Sequence, residues 1–267
     1  MKNKMNTKQK LFLLIFLVGF VSLMSMCKKV DDQVDNSGVK IEDPITLNSE
    51  NEQILKHYAI TIGYNKDTYL PNWVSYLMTR ERCDGEFGRE NKFSPDPLVE
   101  DPVLHSDYTK NPYKMDRGHM APAASMKWNE TAMEECFYTS NICPQNRSLN
   151  RDNWLDIENF VRDVAMKYDS VYVVTGPIVS SDPIYMGNTH NIAIPDAFYK
   201  VLLRKVETKW TTLAFICKNE AGSKPILTYI TTVDDVEEQA GIDFFHSLPD
   251  EVESVVESQD NISDWTL

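Results

Sequence analysis

The strongest local signals in this chain are those of β-strands, and helices do not separate them in a regular alternation. Segments rich in β-branched and aromatic residues occur at 55–64, 73–78, 136–140, 171–175, 198–203, 211–217 and 226–232. The sequence contains no Gly-rich phosphate loop and no visible βαβ repeat. These features predict an α+β domain built on a mainly antiparallel sheet.

Two segments carry helical signals. From residue 152 or 153, apolar residues recur at intervals of three and four, namely Trp154, Ile157, Val161, Val164 and Tyr168. This spacing predicts an amphipathic helix, with Asn150 or Asp152 as its cap. A second helix is predicted from Asp234 towards Phe245. The segment 80–114 is rich in Pro, Gly, Asp and Asn and is expected to form a long loop.

The N-terminus has the pattern of an export signal. Four lysines between Lys2 and Lys10 precede an apolar stretch of sixteen residues, 11–26, which is short for a hydrocarbon core of roughly 30 Å. A cleaved signal peptide at 1–26 is therefore favoured over a transmembrane helix. Cys27 and the four residues before it resemble a bacterial lipoprotein box, so Cys27 is expected to carry a lipid that anchors the protein to a membrane.

The remaining chain divides into two parts. Residues 27–53 are polar and lack periodicity, which indicates a flexible tether, and residues 54–267 are expected to form one domain. We expect an outer-membrane or cell-surface lipoprotein, or a periplasmic or secreted protein if Cys27 is not lipidated. The oligomeric state has no signal in the sequence.

Four cysteines remain after the signal: Cys83, Cys136, Cys143 and Cys217. In an exported protein an even number favours one or two disulfides, and three pairings are open. Zinc is the alternative, but no two of these cysteines form a C-x-x-C pair.

The charge balance opposes the binding of a polyanion. Without the four lysines of the signal the chain has 23 basic and 40 acidic residues, a net charge of −17. The distribution is uneven, because residues 234–267 contain eleven acids and no Lys or Arg, whereas seven basic and seven acidic residues balance between Lys110 and Arg162. A local basic groove is therefore compatible with the composition.

Three motifs follow one another in the middle of the chain. They are D-R-G-H-x-A-P at 116–122, S-N-x-x-P-Q at 140–145 and L-N-x-x-x-W-x-x-x-E at 149–158. In this order and spacing they resemble the DNA/RNA non-specific endonuclease family, the ββα-metal nucleases. The resemblance covers about residues 55–250 and implies a ββα-metal active-site motif with flanking helices. It also implies hydrolysis of DNA and RNA.

The resemblance assigns the central chemistry to two residues. His119 would be the general base. An imidazole has an unperturbed pKa of about 6.5, so it can be neutral and accept a proton near neutral pH. Asn150 would be the ligand of Mg²⁺, for which Mn²⁺ or another divalent ion could substitute; a helix cap is its alternative role. Metal-bound water would protonate the departing 3′ oxygen and leave 5′-phosphate ends, as the family implies. Asp116 is interpreted as structural, orienting His119 or bracing the loop, rather than as a second metal ligand.

Five further residues are candidates for the site. By resemblance, Glu158 would accept hydrogen bonds from waters on the metal, and Asn141 would support the site. Arg117 matches the motif arginine, whose guanidinium can bind phosphate, and Arg89 is a looser match to a second family arginine. Arg162, four residues after Glu158, is a further candidate for substrate contact.

Other functional classes have less support. A catalytically weak surface lipoprotein that binds nucleic acid or a protein partner would fit the acidic composition, yet none of the family's catalytic residues is missing. A zinc or serine hydrolase is not indicated, because the sequence contains neither H-E-x-x-H nor G-x-S-x-G.

Overall fold

The computed structural model of the protein describes residues 41–47, 50–89, 91–109 and 112–266. The expected signal peptide and the expected lipidation site at Cys27 lie outside these residues. Every described residue belongs to one structural unit, residues 33–267. No helix in the described ranges has the length and apolar composition that crossing a membrane requires.

The strands build one large sheet and three small ones. They are β1 (Ile45–Thr46), β2 (Glu52–Lys56), β3 (Thr61–Asn65), β4 (Leu70–Thr79), β5 (Asp116–His119), β6 (Ile142–Gln145), β7 (Ser170–Ile178), β8 (Tyr185–Met186), β9 (Ile192–Ala193), β10 (Ala197–Val206), β11 (Lys209–Lys218), β12 (Ile230–Thr231) and β13 (Ile242–Asp243). The large sheet has the order β12-β11-β10-β7-β4-β3-β2, and all its neighbouring strands are antiparallel. The fold is therefore α+β with a mainly antiparallel sheet, as predicted.

Helices cover both faces of this sheet. They are α1 (Arg80–Cys83), α2 (His105–Tyr108), α3 (Glu130–Glu135), α4 (Arg147–Arg151), α5 (Asn153–Tyr168), α6 (Val233–Ala240) and α7 (Asp250–Glu257). Helix α5 packs on β4 and β7, whereas α6 and α7 pack on β11. Two apolar cores result, one on each face of the sheet.

Strand β10 shows why both faces need a cover. Phe198 and Leu202 belong to the core beneath α5, and Tyr199, Val201 and Leu203 belong to the opposite core. Side chains alternate between faces along a strand, so a strand with apolar side chains on both faces must be buried on both sides.

Local prediction was right for the longest elements and wrong for several short ones. The amphipathic helix is α5, and Asp152 occupies its N-cap position without a side-chain cap bond. The segment 55–64 is two strands, because a turn closes between them where the His57 amide donates to the Ile60 carbonyl. The segment 136–140 is not a strand: Asn129 caps helix α3 just before it, and the 3-10 helix Thr139–Asn141 follows.

The C-terminal predictions also need correction. Residues 226–232 form the 3-10 helix Ile226–Tyr229 and only the short edge strand β12, since no residue of this β-branched segment is fully buried. Helix α6 begins one residue before Asp234, with Thr232 and Asp235 as its capping box. It ends at Gly241, which adopts a left-handed conformation with φ of 67°, rather than continuing towards Phe245.

The described part of the expected tether is folded. Ile41 is buried in the core beneath α6, and β1 pairs with β13. The Ser75 hydroxyl of β4 donates to Asp43 at 3.0 Å. The folded domain therefore begins before residue 54, because its second core needs apolar and polar partners from this segment.

The expected disulfides are absent among the four cysteines. Cys83, Cys143 and Cys217 carry free thiols, so no two of the four are joined. Cys136, Cys143 and Cys217 lie on different elements and are buried, where they serve as small apolar side chains of the core.

Candidate active site

The first and second sequence motifs form a two-stranded hairpin beside the large sheet. Strands β5 and β6 are antiparallel, with Gly118 opposite Cys143 and His119 opposite Ile142. A side chain at Gly118 would collide with Gln145, whose Oε1 would lie 2.2 Å from the added Cβ. The glycine before His119 is therefore required by the close approach of the Gln145 side chain. Together with α5, the hairpin forms the expected ββα unit.

Two motif side chains hold the hairpin from behind rather than facing solvent. Asn141 is fully buried, and its amide accepts from the Ala121 amide at 2.9 Å and donates to the carbonyls of Ala121 and Cys136. Ser140 donates to the buried carboxylate of Asp96 at 2.5 Å. Since the hydrogen bonds of Asn141 all go to the backbone, it positions the segment after His119.

His119 ends β5 in a largely apolar environment. Its ring packs edge-on against Phe137 with centroids 4.8 Å apart and lies 5.3 Å from the ring of Phe93. Its Nε2 atom is buried and has no hydrogen-bond partner among the described residues. Burial, with smaller contributions from the guanidinium groups of Arg89 and Arg117, lowers the pKa of His119 to about 3. The imidazole is therefore neutral at physiological pH.

Asn150 lies within α4 and not at a helix cap. Its Nδ2 donates to Asp116 at 3.3 Å, and no hydrogen bond within the described residues occupies its Oδ1. Asp116 also accepts from Arg147 at 3.2 Å and from Arg151 at 2.9 Å. Burial raises the pKa of Asp116, but these donors outweigh burial and hold it below its usual value. Asp116 thus braces helix α4 rather than a loop, and no hydrogen bond joins it to His119 within the described residues.

His119 and Asn150 line the same cavity, which we call the inner cleft. It has a volume of about 320 Å³, and its lining also includes Arg89, Arg117 and Glu158. Glu158 is 9% exposed, and burial raises its pKa above the usual range, although Lys200, Arg162 and Arg89 oppose this. With Asp116 and Arg151, which also line it, this one cavity contains an imidazole, an amide, two carboxylates and three guanidinium groups.

Lys200 lies beneath this cavity and was not singled out from the sequence. It is fully buried on β10, and its Nζ lies 4.5 Å from the centre of the Trp154 ring. Its positive charge favours the ionised form of Glu158. Lys200 on β10 and Glu158 on α5 are far apart in the sequence and meet only in the folded protein, so motif spacing could not identify Lys200.

A second cavity, the outer cleft, continues from the inner one and has a volume of about 510 Å³. Its basic lining residues are Arg89, Lys114, Arg117, Arg147 and Arg151, with His105, against the single acid Asp116. Arg117 stacks on Phe93 at 4.0 Å and contacts the His105 ring at 2.7 Å. The basic groove that the sequence allowed is present, despite the acidic composition of the chain.

Most, but not all, of the candidate residues converge. Arg162 is absent from the lining of both clefts; its guanidinium contacts Ser125 at 3.4 Å and Asn159. Arg147 and Arg151 were missed, although they flank Asn150 in sequence. Their spacing of four residues on one short helix was the available signal.

A family model for DNA/RNA non-specific endonucleases matches residues 40–251. The chain belongs to this family. The match spans the hairpin, α5 and the large sheet, so family membership covers both clefts.

Individual members of the endonuclease family agree with this assignment. A nuclease of Serratia marcescens is 30% identical over 86% of this chain and 88% of its own length. A mitochondrial nuclease of Saccharomyces cerevisiae is 32% identical over 70% of this chain, and human mitochondrial nuclease EXOG is 33% identical over 70%. The matches cover 63% of the yeast protein and 55% of the human protein, less than two thirds of either.

A solved structure of the family supports the fold. The crystal structure of an EndoG/EndoGI complex, described as showing the mechanism of EndoG inhibition, contains a chain that superimposes with a TM-score of 0.68. The match has 26% sequence identity and covers 74% of this chain and 88% of that one.

Proposed function

We propose that the protein is a Mg²⁺-dependent endonuclease that hydrolyses phosphodiester bonds of DNA and RNA and leaves 5′-phosphate ends. The observation that carries the proposal is the convergence of His119 and Asn150 on one cleft with Arg89, Arg117 and Glu158. Family membership supports the same reaction class.

The donor set fits a hydrated magnesium ion. The Oδ1 atom of Asn150 is an oxygen ligand, and the Glu158 carboxylate lies in the same cleft, where it can orient the hydration shell of an ion. Magnesium prefers oxygen ligands and keeps several waters, so one protein ligand suffices. The ion would supply Lewis-acid stabilisation of the charge on the phosphate and the leaving oxygen.

The residues of the chain supply binding and proton transfer. Arg89 and Arg117 bind the phosphate, and neutral His119 accepts a proton from the attacking water. As the oxygen of that water bonds to phosphorus, the bond from phosphorus to the 3′ oxygen breaks, and a second water molecule protonates the departing 3′ oxygen. A pKa near 3 makes a weak base. A bound phosphodiester would offset the positive charges of Arg89 and Arg117, which are the smaller causes of the lowered pKa of His119, whereas burial supplies the larger part.

The test is cleavage of plasmid DNA and of RNA with and without Mg²⁺. We expect chelation to abolish cleavage, and His119→Ala to lower the rate by on the order of 10²–10⁴-fold. His246→Ala is the matched control, because His246 lies outside both clefts and contacts the Asp43 carbonyl. Unchanged cleavage by His119→Ala would contradict the proposal, and strong DNA binding without cleavage by the wild type would favour a binding protein.

We also propose that the protein is exported and lipidated at Cys27. The lipoprotein-like segment before Cys27 supports this. Mass spectrometry of the mature N-terminus tests it: a diacylglycerol-modified Cys27 is expected, and an unmodified or uncleaved N-terminus would contradict it.

A further inference from the structure

A second group of oxygen ligands lies on the sheet face opposite α5. Asp234 and Glu237 lie one turn apart on α6, and Glu257 is the last residue of α7. One carboxylate oxygen from each of the three lies within 4.8 Å of the others. None of the three lines either cleft, so the group is separate from the nuclease site.

The buried carboxylate of Glu257 indicates that a ligand binds here. It is only 5% exposed, and its buried Oε1 has no hydrogen-bond partner among the described residues. Burying a carboxylate oxygen without a donor or a counter-charge is costly. A cation shared with its two neighbours would satisfy it.

Among the described residues, no basic side chain neutralises these carboxylates through a salt bridge. Residues 234–267 contain no Lys or Arg. Burial, reinforced by the charges of Glu237, Glu253, Asp234 and Asp243, raises the pKa of Glu257 to about 9. Glu257 also ends a helix, where the helix dipole favours a positive charge.

We propose that Asp234, Glu237 and Glu257 bind one Ca²⁺ ion that ties α6 to α7. Calcium binds carboxylate oxygens at about 2.3–2.6 Å in flexible geometry, so oxygens up to about 5 Å apart can share one ion. Glu237 Oε1 accepts from the Phe244 amide at 2.9 Å, which holds this carboxylate in place. Asp234 is exposed, so the ion enters from its side, and water completes the coordination.

The experiment is thermal unfolding and calorimetric titration of the metal-depleted full chain with Ca²⁺ as the probe. At about 100 times its Kd, Ca²⁺ is expected to raise the Tm of the wild type by at least about 5 °C. Glu257→Gln is expected to lose this increase. Glu238→Gln, an exposed acid on the same helix, is the matched control and is expected to keep it.

Two further variants distinguish this site from the nuclease site and from a folding defect. Asn150→Ala is expected to retain the Ca²⁺-induced increase in Tm, because the ion does not bind at the nuclease site. Asp234→Asn changes an exposed residue and is expected to weaken Ca²⁺ binding at least about tenfold, which tests the site even if Glu257→Gln fails to fold. The proposal is overturned if Ca²⁺ leaves the wild-type Tm unchanged, if Asp234→Asn binds Ca²⁺ as the wild type does, or if Asn150→Ala abolishes the effect.

Discussion

Among single residues, His119 makes the stability of the fold depend on pH, because its buried imidazole is neutral and the protein loses stability in acid. The buried His119 of the native protein has a pKa of about 3, whereas an unfolded histidine has a pKa of about 6.5. Between these values the unfolded chain binds one more proton than the native chain. The contribution of His119 to stability is therefore complete above pH 6.5 and declines as the pH falls towards 3.

We expect His119→Gln to weaken this pH dependence. One proton taken up on unfolding changes the free energy of unfolding by at most about 1.4 kcal/mol per pH unit. Urea unfolding at pH 7 and pH 4.5 is the measurement, and the variant should lose about 1–3 kcal/mol less than the wild type over this interval. Other titrating groups are common to both proteins, so identical losses would show that His119 is not held neutral by burial.

At the scale of elements, the candidate site depends on the attachment of one short helix. Helix α4 has five residues, too few to be stable by itself, and Asp116 of β5 accepts hydrogen bonds from Arg147, Asn150 and Arg151 along it. The orientation of Asn150 is thereby coupled to the hairpin that carries His119.

Asp116→Ala is therefore expected to leave Asn150, the proposed metal ligand, less well oriented. Loss of a residue that orients a ligand typically costs 10–100-fold in metal affinity, so the Mg²⁺ concentration for half-maximal cleavage should rise by about that factor. Asp156→Ala, which removes an exposed acid from α5, should leave it unchanged. If Asp116→Ala needs the same Mg²⁺ concentration as the wild type, the hydrogen bonds of Asp116 to α4 do not contribute to metal binding.

Elements also show where local prediction succeeds. Helix α5 and strands β7, β10 and β11 were predicted because long periodic patterns report burial directly. The 3-10 helix at 226–229 was missed because its residues favour strands. It is anchored by the Tyr229 hydroxyl and the Lys224 backbone to Asn153 of α5, and no pattern within the segment encodes that contact.

At the scale of the whole molecule, charge is segregated. The chain has a net charge of −13, yet the outer cleft has five Lys or Arg residues and one acid. The remaining acids lie elsewhere, with eleven of them in residues 234–267. A nucleic acid is therefore expected to be attracted to the cleft and repelled by the rest of the surface.

Salt dependence of DNA binding measures this segregation. In a His119→Ala background, which slows cleavage, Lys114→Ala should weaken binding and reduce the slope of log K against log salt concentration by about 1. Lys209→Ala is the control, because Lys209 is exposed at the start of β11, outside both clefts. Equal slopes in the two variants would mean that the outer cleft does not hold the phosphate backbone.

Periodic patterns in the sequence predicted the fold class and the longest elements, and the ordered motifs, through their resemblance to the family, named His119, Asn150 and Glu158 as candidates, because periodicity and motif order are local properties. Which side chains meet depends on the tertiary structure. It made Asn141 a brace, left Arg162 outside the clefts, brought Arg147 and Arg151 to Asp116, placed Lys200 beneath Glu158 and left Cys83, Cys143 and Cys217 as free thiols. These outcomes depend on contacts between residues far apart in the chain, and such contacts follow from the packing of helices on two faces of one sheet.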